Sequence, residues 1–388
     1  MCATTPGSLA DALDTTPISE RAGRLHREAL VVDLHADTPT EFFLDDTYDF
    51  GERHDFGHVD LPRLREAGVD VQFLVSWVPA ELAATPGASY RHAEGLIRAI
   101  HRVISATPGA RLVQDAAGIQ EARSADDVAI MIGVEGGHAI ENSLERLREL
   151  HGLGARYLTL TWNNTNDWAD AAGDGARHGG LTGFGREVVR DLNRLRMIVD
   201  LSHVAESTFW DAIDTSSAPV VATHSNARAL CDHHRNLSDE QIRAVAETGG
   251  VVGVNAFPAF LDTDYGAAFE RIDEETRALE HRLRARHGDG RRARDEARQW
   301  RDRQLASLPP IPLSRLADHV EHIADVAGIE HLALGLDFDG ILTTPADLPH
   351  IGMLPRLTEI LLARGWSEMD LRLVLGGNAL RVITEVIG

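Results

Sequence analysis

Eight short runs of Val, Ile, Leu and Ala recur along the chain, separated by stretches whose apolar residues fall three and four positions apart. The runs are Val31–Leu34, Val69–Trp77, Val128–Glu135, Arg156–Thr161, Met197–Ser202, Pro219–His224, Gly250–Asn255 and Leu332–Asp337. Near-continuous apolar runs of this length predict strands buried on both faces, which is the signature of a parallel sheet. The intervening segments, among them Ser143–Leu153, Phe184–Leu195, Ser207–Ile213, Ser238–Thr248 and Leu313–Ala327, carry helical periodicity. Eight strand–helix units predict a closed (β/α)8 barrel of the TIM type, with 1–388 as one domain. An open doubly wound sheet is the competing topology, but no Gly-x-Gly-x-x-Gly follows the first strand to support it.

Local signals sharpen the boundaries. Residues 1–20 read as a loose arm, and Arg21–Ala29 as a helical lead-in to the first strand. The polar stretch Phe42–His58 reads as a loop over a strand end. Asp60 caps a compact helix with Pro62 in its first turn and Gly68 as its stop. Tyr90–Ser105 is amphipathic, with Ile97, Ile100 and Val103 on one side. The rhythm breaks once, over 262–308, between the seventh and eighth runs. There Phe269, Ile272, Leu279 and Leu283 recur at helical spacing, Glu280 stands four before Arg284, and Gly288-Asp-Gly290 divides the segment into two helices. A solvated helical hairpin is the plain expectation. A lid or subunit contact is the other, because long βα insertions lie on the catalytic side of a barrel. Near the C-terminus Ser367-Glu-Met-Asp370 resembles a capping box, and Gly376-Gly377-Asn378 separates two short helical pieces.

Composition narrows the chemistry. The net charge of −22 argues against nucleic acid and anionic membrane as partners. All 38 basic side chains are arginine. Without lysine there is no Schiff base, no pyridoxal-phosphate linkage, no P-loop lysine and no carboxylated lysine to bridge two metals. Two cysteines, Cys2 and Cys231, make no disulfide framework. With no signal-like start and no long apolar run, a cytoplasmic protein acting on a small molecule is expected, and a homodimer is left open.

The strand ends carry the decisive pattern. The first run delivers His35 and Asp37, two apart and therefore on one face; the third ends in Glu135, the fifth in His203, the sixth in His224 and the eighth in Asp337. In a barrel these ends meet at one mouth. Buried unpaired charges in such number would cost on the order of several kcal/mol each. With no lysine in the chain, a metal is the simplest counter-charge. The donors exceed the need of one catalytic zinc, which takes three protein ligands. A binuclear site shares them: His35, Asp37 and Glu135 on one ion, Glu135, His203 and His224 on the other, with a hydroxide between the ions as nucleophile. Asp337, in reach and not required as a ligand, would take the proton of the water and pass it on.

The chain resembles the membrane (renal) dipeptidases, a branch of the amidohydrolase superfamily. The resemblance is carried by Asp33-Leu-His-Ala-Asp37, Asp60–Phe73, Gly133-Val-Glu-Gly-Gly-His138, Arg156–Thr161, Asp200-Leu-Ser-His203, Thr223-His-Ser225, Arg235-Asn236 and Gly335-Leu-Asp-Phe-Asp-Gly340. It implies two zinc ions on His35, Asp37, Glu135, His203 and His224, with Glu135 as bridge and Asp337 as proton carrier. It implies that Arg235 grips the substrate's carboxylate and that Phe260 lines the substrate pocket near a family tyrosine.

One position departs from the family pattern. Where characterised members carry a histidine against the substrate carbonyl, this chain has Trp162, followed by Asn163 and Asn164. An indole can donate a hydrogen bond but cannot carry a proton. Either an asparagine amide takes over, or the substrate differs from a simple dipeptide. The expectation is therefore a dipeptidase, with a D-residue allowed at the C-terminal position. The alternatives are hydrolysis of an N-acyl amino acid or cyclic amide, and a non-catalytic metal-stabilised binding protein.

Overall fold

The structure, a computed structural model, describes residues 18–45 and 47–388. Most of the 1–20 arm, and Cys2 with it, lies outside the described residues. Nine parallel strands form the sheet: β1 Val32–Ala36, β2 Val71–Trp77, β3 Ala110–Leu112, β4 Val128–Glu135, β5 Ala155–Thr159, β6 Ile198–Asp200, β7 Val220–Ala222, β8 Val251–Val254 and β9 Leu332–Leu334. β1 pairs with both β2 and β9, and β2 pairs with β4, so eight strands close into a ring. This is the (β/α)8 barrel expected from the alternation. β3 lies outside the ring, paired only with the beginning of β4. Its Ala-Arg-Leu is partly exposed and makes no apolar run, which is why that strand was not legible.

Alternate residues of the strands, including Val32, Leu34, Val71, Phe73, Val75 and Met131, pack together with Ala379, Val382, Ile383 and Val386 of the helix Asn378–Val386. That helix plugs one end of the barrel and leaves the C-terminal ends of the strands as the open mouth. The other alternate set, such as Leu74, Ile130, Ile132, Val134, Leu158 and Val199, packs outward in the core shared with the helical layer. Period-2 alternation and burial on both faces thus coexist in each strand.

Three local expectations are corrected. The stretch after Asp37 is not all loop. Pro39 starts a helix, Pro39–Leu44, because a proline at the first helical position gives up an N–H that has no partner there. Phe42 and Phe50 from this stretch are buried edge-to-face, 5.6 Å between centroids. Gly376-Gly377 does not divide the C-terminal helices: Leu373–Gly377 is a π-helical turn joining Glu368–Arg372 to Asn378–Val386. A Cβ on Gly376 would collide with the carbonyl of Leu30, so glycine is kept there for close packing. Finally, the runs ending at His203 and Asp337 leave strand geometry before those residues. Both adopt positive φ, 70° and 62°, a costly backbone for non-glycine residues that concentrates at functional sites.

The Asp60 cap, the αL Gly68 and the Ser367–Asp370 capping box form as expected. Arg63, inside the capped helix, does more than hold Asp60. Its guanidinium also donates to the carbonyls of His54, Phe56 and Gly57, fastening the 51–58 loop beside the barrel mouth. The 262–308 segment is a pair of helices, Thr263–His287 and Gly290–Leu305, with Gly288 at φ 65° between them. Among the described residues, no helix is long and apolar enough to cross a membrane.

Candidate metal centre

The ends of β1, β4, β6, β7 and β9 bring His35, Asp37, Glu135, His203, His224 and Asp337 to one buried point at the mouth. Glu135 is central. Its Oε1 lies 2.8 Å from His203 Nε2 and 3.3 Å from His224 Nε2, while its Oε2 lies 3.8 Å from His35 Nε2. His35 Nε2 is also 3.6 Å from Asp37 Oδ2 and 3.9 Å from Asp337 Oδ1. The Nε2 atoms of His203 and His224 stand 3.0 Å apart.

The far nitrogen of each imidazole is held by an acceptor. His35 Nδ1 meets the Tyr157 hydroxyl at 2.9 Å, and that hydroxyl donates onward to the Leu34 carbonyl. His224 Nδ1 meets Thr223 Oγ1 at 2.7 Å, and the threonine donates to Asp200 Oδ2. His203 Nδ1 meets Asn163 Oδ1 at 2.9 Å. Each arrangement places an N–H on Nδ1 and turns Nε2 inward, as the outer hydrogen-bond partners of metal-bound histidines do. Asp200 is itself fully engaged, accepting from Thr159, Thr223 and the backbone N–H groups of Ser202 and Thr223.

Electrostatics test whether a cation fits. Three carboxylates, Asp37, Glu135 and Asp337, face one guanidinium, Arg235, in a buried volume. Burial, reinforced by Asp37 and Asp337, pushes Glu135 well above the usual carboxylate range. Burial likewise pushes Asp337 up to about 6, with His35, the Asn255 amide and Arg235 pulling against it. Burial works against a charged His35, but Glu135, Asp37 and Asp337 outweigh it and raise this histidine to about 10. Burial, with Arg235 and His35 nearby, holds His203 and His224 far below their usual range. His35 Nε2 and Asp37 Oδ1 are buried without a hydrogen-bond partner. Neutral His203 and His224, a His35 drawn toward its charged form by three carboxylates, and orphaned atoms between them make a donor set that fits a divalent metal in place of the His35 proton. Each of two donor groups, His35–Glu135–His224 and His35–Asp37–Asp337, lies within 4.8 Å across its ligand atoms.

The backbone is shaped around these side chains. A Cβ on Gly340 would collide with the carboxylates of Asp37 and Asp337, and one on Gly133 would collide with the Tyr157 ring. Glycine at these positions therefore makes room for the ligands and for the phenol that orients His35. Tyr157, Asp200, Thr223 and Asn255 stood inside or beside the motifs read from sequence, yet nothing in their spacing revealed that they orient the ligands.

The chain matches the family model for membrane dipeptidase (Peptidase family M19) over residues 19–387. It belongs to that family. Dipeptidase 3 of Mus musculus is 32% identical over 378 residues, covering 95% of this chain and 67% of the mouse protein. Dipeptidase 3 of Homo sapiens is 32% identical over 392 residues, covering 99% of this chain and 70% of its own length. Among solved structures, the metallo peptidase dipeptidase AC of family M19 superposes with a TM-score of 0.76 at 26% identity, covering 93% of this chain and 99% of that one. A Rhodobacter sphaeroides metallo peptidase liganded with a phosphinate mimic of L-Ala-D-Ala superposes at 0.75 with 25% identity, covering 92% and 99%. This M19 member is accordingly a metal-dependent dipeptidase, and the barrel mouth gathers the donor groups that could hold a divalent metal.

The remaining predicted site residues lie around that mouth. Arg235 is buried, its NH2 3.4 Å from the His224 carbonyl, its Nε and NH1 without partners, and its guanidinium 5.4 Å from the Phe260 ring centroid. Arg235, Phe260 and Asn163 line one cleft of about 490 Å³. Trp162 packs edge-on against Trp77 at 5.1 Å and stands 6.5 Å from the His203 ring. Trp77, last residue of β2 and opposite Glu135 in register, was not picked out from sequence. Asn163, expected to contact substrate, has its carbonyl oxygen engaged by His203, so its first task is to orient that imidazole.

Proposed function

We propose that this protein holds two zinc ions and hydrolyses dipeptides, including those with a D-residue at the C-terminal position. The single observation that carries this reading is the splay of Glu135. One of its oxygens addresses His203 and His224, the other addresses His35 beside Asp37. Glu135 so placed could help to hold two ions, with His35 and Asp37 completing one set of about three protein ligands and His203 and His224 the other. When bound, such ions lower the pKa of a water molecule and polarise the scissile carbonyl.

The protein's own groups do the rest. Asp337 stands beside His35 with one oxygen steadied by the Asn255 amide at 2.8 Å, which leaves the other to take a proton from the attacking water and return it to the departing amine. Arg235, buried with two nitrogens free, binds the substrate's carboxylate as a charge-assisted pair and fixes the amide over the ligands. The dipeptide mimic bound by the Rhodobacter relative supports a D-residue at the C-terminal side. A second reading, hydrolysis of N-acyl amino acids or cyclic amides, draws on the engagement of Asn163 with His203 and on Trp162 in place of an imidazole. Together they remove the groups that would greet a dipeptide carbonyl in the usual way.

Metal analysis joined to a substrate screen tests both readings. The expected outcome is close to two zinc ions per chain, with turnover of dipeptides exceeding that of N-acyl amino acids. One ion or none overturns the binuclear assignment, and turnover confined to N-acyl or cyclic amides favours the second reading.

A further inference from the structure

The first turns of the helix Thr263–His287 are seated on the barrel, while most of the hairpin beyond them is solvated as expected. A Cβ on its Gly266 would collide with the Ala259 carbonyl, its Tyr265 hydroxyl reaches Thr343 Oγ1 at 3.0 Å, and its Phe269 packs edge-to-face on Phe257 at 4.9 Å. Its next turn forms one wall of the cleft whose opposite side is Arg235 and Phe260. Phe257, Phe260 and Phe269 give that cleft an apolar base, while Glu270, Asp273 and Glu274 line the same wall.

The acidic wall is only partly neutralised, by Arg277, which lines the same cleft. Asp273 is paired with Arg277 at 2.8 Å, which leaves Glu270 and Glu274. Glu270 faces His233 at 3.6 Å, but His233 is no cation: burial, then His234, Arg235 and Arg228, hold it down to about 3. The Arg235 backbone N–H donates to His233 Nδ1 at 3.1 Å, so the imidazole presents an N–H, not a lone pair, toward Glu270. With Nδ1 of His233 taken by the Arg235 backbone, its N–H side stands 3.6 Å from Glu270, so the contact between the Arg235 loop and the insertion offers no imidazole lone pair for a metal there. Arg235 supplies the independent sign that the cleft receives a ligand, being buried with Nε and NH1 unpartnered.

We infer that the insertion builds a cation-accepting subsite, in which the C-terminal residue of a dipeptide anchors its carboxylate on Arg235, lays an aliphatic stem over Phe257, Phe260 and Phe269, and ends its positive head against Glu270 and Glu274. This specificity for lysine- or ornithine-like side chains rests on the dipeptidase reading. Its chemistry is that of long cationic side chains generally, an apolar stem with a charged tip.

Competition among L-Ala-Lys, L-Ala-norleucine and L-Ala-Glu, each in both configurations of the second residue, tests it on the metal-loaded full chain. The expected kcat/KM favours lysine over its neutral near-isostere norleucine by about fivefold, the worth of one partly exposed ion pair. Glutamate should be poorest. The lysine-to-norleucine ratio should fall toward one in Glu270→Gln/Glu274→Gln and at about 0.5 M salt, and Glu274→Lys should raise the relative rate on L-Ala-Glu. Hydrolysis with no lysine preference, or a preference the double variant keeps, overturns the subsite and leaves the dipeptidase assignment standing. Hydrolysis of none of these peptides removes both.

Discussion

Replacing Tyr157 by phenylalanine isolates the part of the site least visible in the sequence. The hydroxyl is the acceptor for His35 Nδ1 at 2.9 Å, donates to the Leu34 carbonyl at 3.3 Å, and sits on a side chain only 1% exposed. Water cannot reach the two groups it leaves behind. An unsatisfied buried N–H costs about 1–3 kcal/mol, and the carbonyl adds little because its bond is already long. Unfolding a chain of 388 residues carries an entropy of roughly 0.8 kcal/mol/K, so the melting temperature should fall by about 1–4 °C. The larger effect should be on metal affinity. Without its acceptor, His35 no longer has one tautomer enforced, and loss of such an outer partner typically weakens binding about 10–100-fold. Chelator competition monitored by release of the bound metal, alongside thermal unfolding with and without metal, measures both. A Tyr157→Phe protein that keeps wild-type affinity to within about twofold, with unchanged melting, would refute the claim that the phenol sets the ligand's orientation.

Other perturbations separate chemistry from structure. Asp337→Asn should retain the metal content of the native protein yet lose turnover by about 10²–10⁴-fold, because an amide cannot carry the proton; metal content and kcat measured on one preparation check this. His26, buried against the Ala67 carbonyl and Thr358 Oγ1, is lowered to about 4 chiefly by burial, so the fold favours its neutral form. Its contribution is complete above the unfolded value of about 6.5 and is lost as the pH falls through 4, a decline of about 3 kcal/mol. Urea unfolding at pH 7, 5.5 and 4 should show this slope in the native protein and a shallower one in His26→Gln.

Much of the architecture was written in the order of residues. Repeated apolar runs and amphipathic segments specify eight buried strands and their covering helices, because burial on two faces and on one face leave different periodicities. Asp60 with Gly68, and Ser367 with Asp370, mark helix ends through contacts within a few residues. The convergence of the candidate donors was legible for a related reason: charged and imidazole side chains closing apolar strands meet at the mouth of a barrel.

What depended on distance in space was not legible. That Tyr157 of β5 orients His35 of β1 across the barrel interior, and that Asn163 serves His203 and Asp200 grips Thr223 between adjoining strands, follow from closure of the ring, and no spacing along the chain encodes them. The helix after Asp262 shows the same division. Its periodicity and its break at Gly288-Asp-Gly290 are local, and were readable. Its position as a wall opposite Arg235 arises from Gly266 nesting on Ala259 and Phe269 on Phe257, contacts that exist only once the barrel is closed.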